Sequence, residues 1–337
     1  MIKEAIAKLI NKEDLPAKMV EQVMDEIMTG QAGQILVASY LTALEAKGAT
    51  IEEITASAKG MRKAGAHLNH SDTVFEIVGT GGDCSNSFNI STTASIVIAA
   101  AGVKVAKHGN VAATSRSGSA DCLDALGVKI NLDPEQMEQV LEECGMCFLF
   151  AQKYYSAMKY VGPVRKELGI KTVFNILGPL SNPASAEIQV MGVYDESLVE
   201  PLARVLSKLG VKHGMVIYGT DRLDEVSVSA PTSICEFEGD NFKKYTIKPE
   251  DFGISSADKS EILGGSGEEN ARITLGILKG EIQGARRDVI LLNAGCGLYA
   301  AGKAASIAEG VKLAAELIDS GKALAKLNQF ITATNKF

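Results

Sequence analysis

The sequence has no tryptophan, and aromatic residues make up 5% of it. That scarcity argues against an aromatic-rich sandwich of sheets. No apolar run approaches the roughly 20 residues of a membrane span. The opening segment MIKEAIAKLI reads as the start of an amphipathic helix and lacks the layout of a signal peptide, so a cytoplasmic setting is expected. Six cysteines in 337 residues do not make a disulfide scaffold. Cys144 and Cys147 form one CxxC with no partner pair and no nearby histidine, which speaks against zinc; they read as small buried residues at a helix-to-strand turn. An excess of basic charge is missing too: 34 Lys and Arg against 41 Asp and Glu give a net charge of −7. Nucleic-acid binding draws on a basic footprint, which this chain lacks. Any anionic ligand must be held by a local site rather than by the overall field.

What is present fits an α/β enzyme. Apolar residues are 46% of the chain and glycines number 33, enough for a real core and many strand–helix turns. At this length two domains are the default. The first 70 or so residues read as helices. Asp14-Leu15-Pro16 opens one with Met19, Val20, Val23, Met24 and Ile27 as its stripe, and Gly30 closes it. Thr50 to Glu53 is a capping box. From Thr73 the pattern changes to strands alternating with helices, which predicts a mainly parallel sheet. Strands are expected at Val74–Val78, Val103–Ala106, Cys147–Phe150, Ile188–Val193 and Met215–Tyr218. Helices are expected at Ser91–Ala101, Ser119–Leu126, from Asp133-Pro134 to near Cys144, Ser197–Leu209, 267–280 and 303–320. The segment 157–185 reads as a crossover returning to the helical domain. The expected division is a helical domain, 1–70, and an α/β domain, 71–337, with a cleft between them.

Five motifs carry chemistry. Gly79-Thr80-Gly81-Gly82-Asp83 follows the first strand; its glycines let backbone N–H groups approach an anion. It is neither a dinucleotide fingerprint nor a P-loop. Asn89-Ile90-Ser91-Thr92 opens the next helix, where free N–H groups, the dipole and hydroxyls suit a phosphate, and Ser91 also suits a metal. Lys107-His108-Gly109-Asn110 is expected at the end of the second strand, with Lys107 as a compact positive charge; His108, with no histidine partner, reads as structural. Asp224-Glu225 follows a strand by a short loop and supplies the carboxylates that Mg²⁺ takes beside substrate phosphates. In Gly162-Pro163-Val164-Arg165, the guanidinium fits a planar carboxylate bidentately.

Taken in order, these motifs resemble the anthranilate phosphoribosyltransferases: GTGGD at 79–83, NIST at 89–92, KHGN at 107–110, SGSAD at 117–121, PVRKELG at 163–169, FNILGPLSNP at 174–183 and LDEVS at 223–227. The resemblance spans nearly the whole chain and implies a nucleoside phosphorylase-like α/β fold with a small helical domain, in a homodimer formed through that domain. It implies transfer of the phosphoribosyl group of phosphoribosyl pyrophosphate (PRPP) to the amine of anthranilate in tryptophan biosynthesis, with Mg²⁺, two ions per subunit. Gly79, Gly82, Asp83, Ser87, Asn89, Ile90, Ser91 and Thr92 would hold PRPP, with Lys107, His108, Gly109, Asn110, Ser115 and Ser119. Gly79, Asn110 and Arg165 would hold anthranilate; Ser91, Asp224 and Glu225 would hold Mg²⁺. The chain departs from the family at Val111 (commonly Arg), Tyr155 (commonly His), Cys84 (usually Gly) and Ser87 (usually Thr, so the hydroxyl is kept). Val111 and Tyr155 bear on recognition of the amine rather than on PRPP.

The mechanism implied is electrostatic. Charge develops at the ribose C1 as the pyrophosphate departs, and a neutral aromatic amine can attack directly. No general base stands out. A pyrimidine nucleoside phosphorylase is the nearest alternative, but GTGGD with Asp224-Glu225 favours a Mg-dependent diphosphate substrate. A non-enzymatic nucleic-acid binder on the same scaffold conflicts with the net charge and with the metal pair.

Overall fold

The computed structural model describes residues 1–112 and 116–337. Helices α1 (Ile2–Ile10), α2 (Ala17–Met28), α3 (Gln34–Lys47) and α4 (Ile51–Ala64) open the chain. Gly30, at φ 75°, ends the turn after α2, a conformation costly for residues with a Cβ. At the start of α4 the Thr50 hydroxyl accepts from the Glu53 amide at 3.2 Å, and the Glu53 carboxylate accepts from the Thr50 amide at 2.7 Å. The same buried carboxylate accepts from Leu15 N at 2.9 Å and Lys47 Nζ at 2.8 Å. One side chain therefore ties α4 to the loop before α2 and to the end of α3.

The α/β part follows: β1 (Phe75–Gly79), α5 (Ile90–Ala100), β2 (Val105–Gly109), α6 (Ser119–Ala125), α7 (Pro134–Cys144) and β3 (Met146–Phe150). A crossover then runs through α8 (Ala151–Tyr154), a 3₁₀ turn at Ser156–Tyr160, α9 (Gly162–Leu168) and α10 (Phe174–Leu180). The chain returns through β4 (Ile188–Gly192), α11 (Val199–Lys208), β5 (His213–Gly219), the hairpin β6 (Thr232–Glu238) and β7 (Asn241–Ile247), and helices α12 (Gly267–Leu278), α13 (Ala285–Ala300), α14 (Ile307–Asp319) and α15 (Lys322–Thr334). The sheet order is β3-β2-β1-β4-β5-β6-β7. The first five strands in that order pair parallel; β6 and β7 pair antiparallel. The fold is thus a small helical domain beside a larger α/β domain with a mostly parallel sheet. The order reverses between β1 and β4, the kind of point at which such sheets bind ligands.

The crossover packs on the helical bundle: α9 against α3, the 3₁₀ turn against α2, and α10 against α4. Arg62 of α4 adds a polar tie. Its guanidinium donates to the Leu180 carbonyl at 2.8 Å and the Leu209 carbonyl at 3.2 Å, at the C-terminal ends of α10 and α11 where a cation complements the dipole.

The structure corrects three expectations. The second strand is Val105–Gly109 rather than Val103–Ala106, because its pairing with β3 runs from Val105 opposite Met146 to Gly109 opposite Phe150. Lys107 and His108 are therefore inside the ladder, not beyond it. The helix expected at 303–320 begins only at Ile307. Helix α13 was not anticipated: it is buried nearly all round, so it shows no polar face, and Gly295 and Gly297 read as breakers. Cys144 and Cys147 are free and buried, at the end of α7 and in β3, as expected.

Candidate functional site

Strands β1, β2, β4 and β5 all end in glycine: Gly79, Gly109, Gly192 and Gly219. These glycines make room for side chains folded over the carboxyl edge. A Cβ on Gly79 would run into the Asp224 carboxylate, one on Gly192 into the Asp224 backbone, and one on Gly109 into the Ser119 hydroxyl. Asp224 therefore lies directly across the β1/β4 switch point.

Two loops far apart in sequence meet there. The Asp224 carboxylate accepts from Gly81 N at 2.6 Å, and Asp224 N donates to the Asp83 carboxylate at 3.3 Å. Gly81 and Gly82 have φ of 69° and 74°, the left-handed conformation that turns successive N–H groups into an anion-binding concavity. The Glu225 carboxylate accepts from Ser91 N at 3.0 Å and so caps the N-terminus of α5, where Asn89 makes no side-chain cap of its own. Lys107 is 1% exposed; its ammonium donates to the Ile77 carbonyl at 2.8 Å and to the Ser91 hydroxyl at 3.3 Å.

The charge in this cluster is unbalanced. Asp224 and Glu225 are 8% and 7% exposed, and neither forms a salt bridge among the described residues. Burial, reinforced by Asp83 and Glu225, pushes the Asp224 carboxyl well above its ordinary range. Burial pushes Glu225 up to about 7 against the pull of Lys107. Burial in turn lowers the Lys107 ammonium, opposed by Glu225 and Glu76. Glu225 acts on the Lys107 ammonium, while Asp224 is opposed by Asp83 and Glu225; the adjacent carboxylates of Asp224 and Glu225 are oxygen donors of the kind a hard divalent cation takes. Among the described residues no group of three or more His, Cys, Asp or Glu is placed to hold a metal ion.

Along NIST, Ile90 and Thr92 turn their side chains into the core, leaving Asn89 and Ser91 half-exposed. Ser87 bridges to Leu263. Ser119, at the first turn of α6, donates to the Asn110 carbonyl at 3.5 Å. The exposed Asn110 side chain accepts through Oδ1 from Val111 N at 2.9 Å and Gln152 Nε2 at 3.5 Å. Ser115 lies outside the described residues.

His108 is buried. Nδ1 lies 3.1 Å from the Gly178 carbonyl, which can only accept, so Nδ1 carries the proton. Burial holds the imidazole down at about 4 and hence neutral. Tyr155 does not line an open path: it is buried behind His108, ring centroids 5.7 Å apart, with its hydroxyl donating to the Ser181 carbonyl. Val111 is exposed. Arg165, half-buried on α9, has no ion pair among the described residues; its guanidinium stands 5.9 Å from the Phe174 ring centroid, and burial lowers its pKa.

Sequence reasoning missed Gly192 and two buried asparagines, Asn270 and Asn293, which touch these loops from α12 and α13. For Asn293, a lone asparagine inside an apolar run was the available signal.

The arrangement is that of a two-domain glycosyl transferase. Residues 3–65 match the family description "Glycosyl transferase family, helical bundle domain", and residues 71–324 match "Glycosyl transferase family, a/b domain". The anthranilate phosphoribosyltransferase of Methanobrevibacter smithii is 56% identical over 99% of this chain and 100% of its own length; that of Lachnoclostridium phytofermentans is 54% identical over 100% of both. The crystal structure of the Thermus thermophilus anthranilate phosphoribosyltransferase superposes with a TM-score of 0.92 at 42% identity, covering 98% of this chain and 99% of that one. The Saccharomyces cerevisiae enzyme, solved in complex with PRPP and Mg, gives 0.92 at 28% identity, covering 100% and 98%. The chain belongs to the anthranilate phosphoribosyltransferase family.

Proposed function

We propose that the chain transfers the 5-phosphoribosyl group of PRPP to the amine of anthranilate, releasing pyrophosphate, in a Mg²⁺-dependent reaction. One observation carries this reading: the glycine turn and the start of α5 each hold one carboxylate of the Asp224-Glu225 pair, through Gly81 N and Ser91 N. A phosphate-binding concavity and a divalent-cation site are thereby one site. Mg²⁺ bound there would offset charge on the departing pyrophosphate. The two carboxylates lean on different elements, which supports two ion positions per subunit, with Ser91 beside the second. The Gly82 N–H and the remaining N–H groups in the first turn of α5, beside those that Asp224 and Glu225 already take, would hold the diphosphate. Asn110 and the unpaired Arg165 would take the anthranilate carboxylate. His108, neutral and turned to Gly178, would shape the pocket wall rather than accept a proton.

The helical bundle with its crossover forms one side of the cleft in this reading, and residues 71–337, apart from the crossover, form the other. Ile10 and Ile35, 69% and 83% exposed on the bundle, suit a homodimer contact. All six cysteines are free, which suits the cytoplasm. No helix among the described residues is long and apolar enough to cross a membrane. The test is direct: mix protein, Mg²⁺, PRPP and anthranilate, and follow the loss of anthranilate fluorescence. No loss with PRPP, together with turnover of a pyrimidine nucleoside and phosphate, would favour the phosphorylase reading instead.

A further inference from the structure

Asn89 is half-exposed beside the glycine turn, but its side chain is not free to present either end of the amide. Its Oδ1 accepts from Asn270 Nδ2 at 2.8 Å and from the Ser117 hydroxyl at 3.2 Å. Asn270 in turn is 1% exposed, and its Oδ1 accepts from Gly265 N at 2.8 Å. The Gly265 amide can only donate, so it fixes which end of the Asn270 amide faces it and leaves Nδ2 for Asn89. That donor fixes Asn89 with its oxygen inward. Among the described residues the Asn89 NH₂ makes one long bond, 3.5 Å, to the Ser117 carbonyl and keeps a second N–H.

The surroundings hold this chain of amides rigidly. The Asn86–Asn89 stretch is pinned to the segment before α12: Phe88 N donates to the Ile262 carbonyl at 3.1 Å, and Gly264 N to the Asn86 carbonyl at 2.9 Å. A Cβ on Gly264 would collide with the Phe88 backbone and the Asn270 side chain, so the segments are in direct contact.

We propose that Asn270 is a positioning residue for the diphosphate of PRPP: the polarity relay Gly265 N–H to Asn270 to Asn89 obliges Asn89 to offer the ligand an N–H donor and withholds its carbonyl oxygen. The proposal rests on the PRPP reading above. The reversed amide would place a partial negative charge against an anionic oxygen. Asn270 touches no ligand itself and acts only through Asn89.

The relay separates from a packing role by polarity. Asn270→Asp is nearly isosteric and still accepts from Gly265 N, but its second oxygen faces Asn89 Oδ1 and repels it, so Asn89 turns over. Asn270→Ala removes the bonds without reversing anything. Calorimetric binding of Mg·PRPP at about pH 8.5 should therefore be weakened about ten- to a hundredfold by Asn270→Asp, the worth of a charge-assisted bond, and only a few-fold by Asn270→Ala. As the pH falls toward about 6 the introduced buried carboxyl takes up a proton and can donate again, so the deficit of Asn270→Asp should shrink while that of Asn270→Ala stays level. Asn89→Ala, which removes the donor and leaves Asn270 Nδ2 without its acceptor, should lose about as much affinity as Asn270→Asp, with a lowered melting temperature but a cooperative unfolding transition that shows it folded. Equal losses in the two Asn270 variants with no pH dependence, or unchanged affinity in Asn89→Ala, would overturn the relay. Wild-type protein that binds no Mg·PRPP in the same calorimeter would overturn the PRPP reading itself.

Discussion

Asn293 holds the backbone of Val226 on both sides: its Oδ1 accepts from Val226 N at 2.9 Å, and its Nδ2 donates to the Val226 carbonyl at 2.9 Å. The amide thus imitates a neighbouring strand, one residue past the Asp224-Glu225 pair, and a further bond to the Val289 carbonyl at 2.8 Å anchors it on α13. Asn293→Leu fills the volume but leaves two buried backbone groups unpaired. It should destabilise the fold by about 2–4 kcal/mol, measured by urea unfolding. In the protein that remains folded, the Mg²⁺ concentration for half-maximal rate should rise severalfold while the anthranilate KM holds. Wild-type Mg²⁺ dependence in this variant would show that the carboxylates need no such hold.

The carboxylate pair should trade stability for function. Asp224 and Glu225 are buried side by side with Asp83 nearby, and burial with mutual repulsion raises both carboxyls, so holding them ionised costs free energy until a cation arrives. The double substitution Asp224→Asn with Glu225→Gln should abolish turnover and raise the melting temperature of the metal-free protein. Mg·PRPP should raise the melting temperature of the wild type but not of the double variant. Near-normal activity at limiting Mg²⁺ would remove the metal assignment.

Arg165 tests the amine substrate. The simplest structural role would have been an ion pair tying α9 to a neighbouring acid, and none is present among the described residues. Arg165→Ala should raise the anthranilate KM about ten- to a hundredfold, the worth of a charge-assisted bond, and leave the PRPP KM nearly unmoved. Arg165→Lys should also be damaging, because an ammonium cannot copy the paired donors of the guanidinium. A lowered melting temperature with both KM values intact would make Asn110 the better candidate for the carboxylate.

Cys84 is the one exposed thiol, and it occupies a left-handed backbone at φ 58°, the conformation that explains why glycine is usual there. The other five cysteines are buried. Iodoacetamide should therefore label Cys84 first in the folded protein, as read by mass spectrometry, and Mg·PRPP should slow that labelling. Equal rates with and without ligand would separate Cys84 from the phosphate site.

His213 makes a pH-dependent tie on the far edge of the sheet. Its ring nitrogens lie 2.8 Å from the Ala300 carbonyl and 3.1 Å from the Glu236 carboxylate, which also accepts from the Tyr245 hydroxyl at 2.7 Å. The bond to Glu236, then its charge, raises the histidine above its ordinary value, against burial. A raised folded value stabilises the fold fully below about pH 6.5, and the contribution is lost as pH rises through the raised value. The melting temperature should fall over that window, and His213→Gln should flatten that part of the profile.

Much of the site was legible because its parts announce themselves locally. A glycine turn, a helix start rich in hydroxyls and an adjacent carboxylate pair are short patterns with a chemical reason, and the structure gathers Gly81, Ser91, Asp224 and Glu225 at one switch point. What escaped depends on contacts at long range. Gly192 looks like any strand end until Asp224 is folded over it. Asn270 sits among charged residues in a stretch that says only helix, Asn293 in an apolar run whose glycines hid its helix, and their partners lie 181 and 67 residues away. Lys107 and His108 were expected at the end of a strand read as Val103–Ala106, yet the ladder with β3 runs to Gly109 and buries both.

The crossover has a consequence for the order in which the protein is made. The bundle of α1 to α4 is not complete in itself: α9 covers α3, and α10 covers α4. The ribosome finishes α4 at Ala64 and does not reach Leu180, the end of α10, until 116 residues later. At about 5–20 residues per second that is a wait of roughly 6–23 seconds. Throughout it, the apolar side chains that α9 and α10 will cover face solvent or a chaperone. A substitution that makes this surface stickier should leave the purified enzyme almost unchanged and yet lower the yield from the cell.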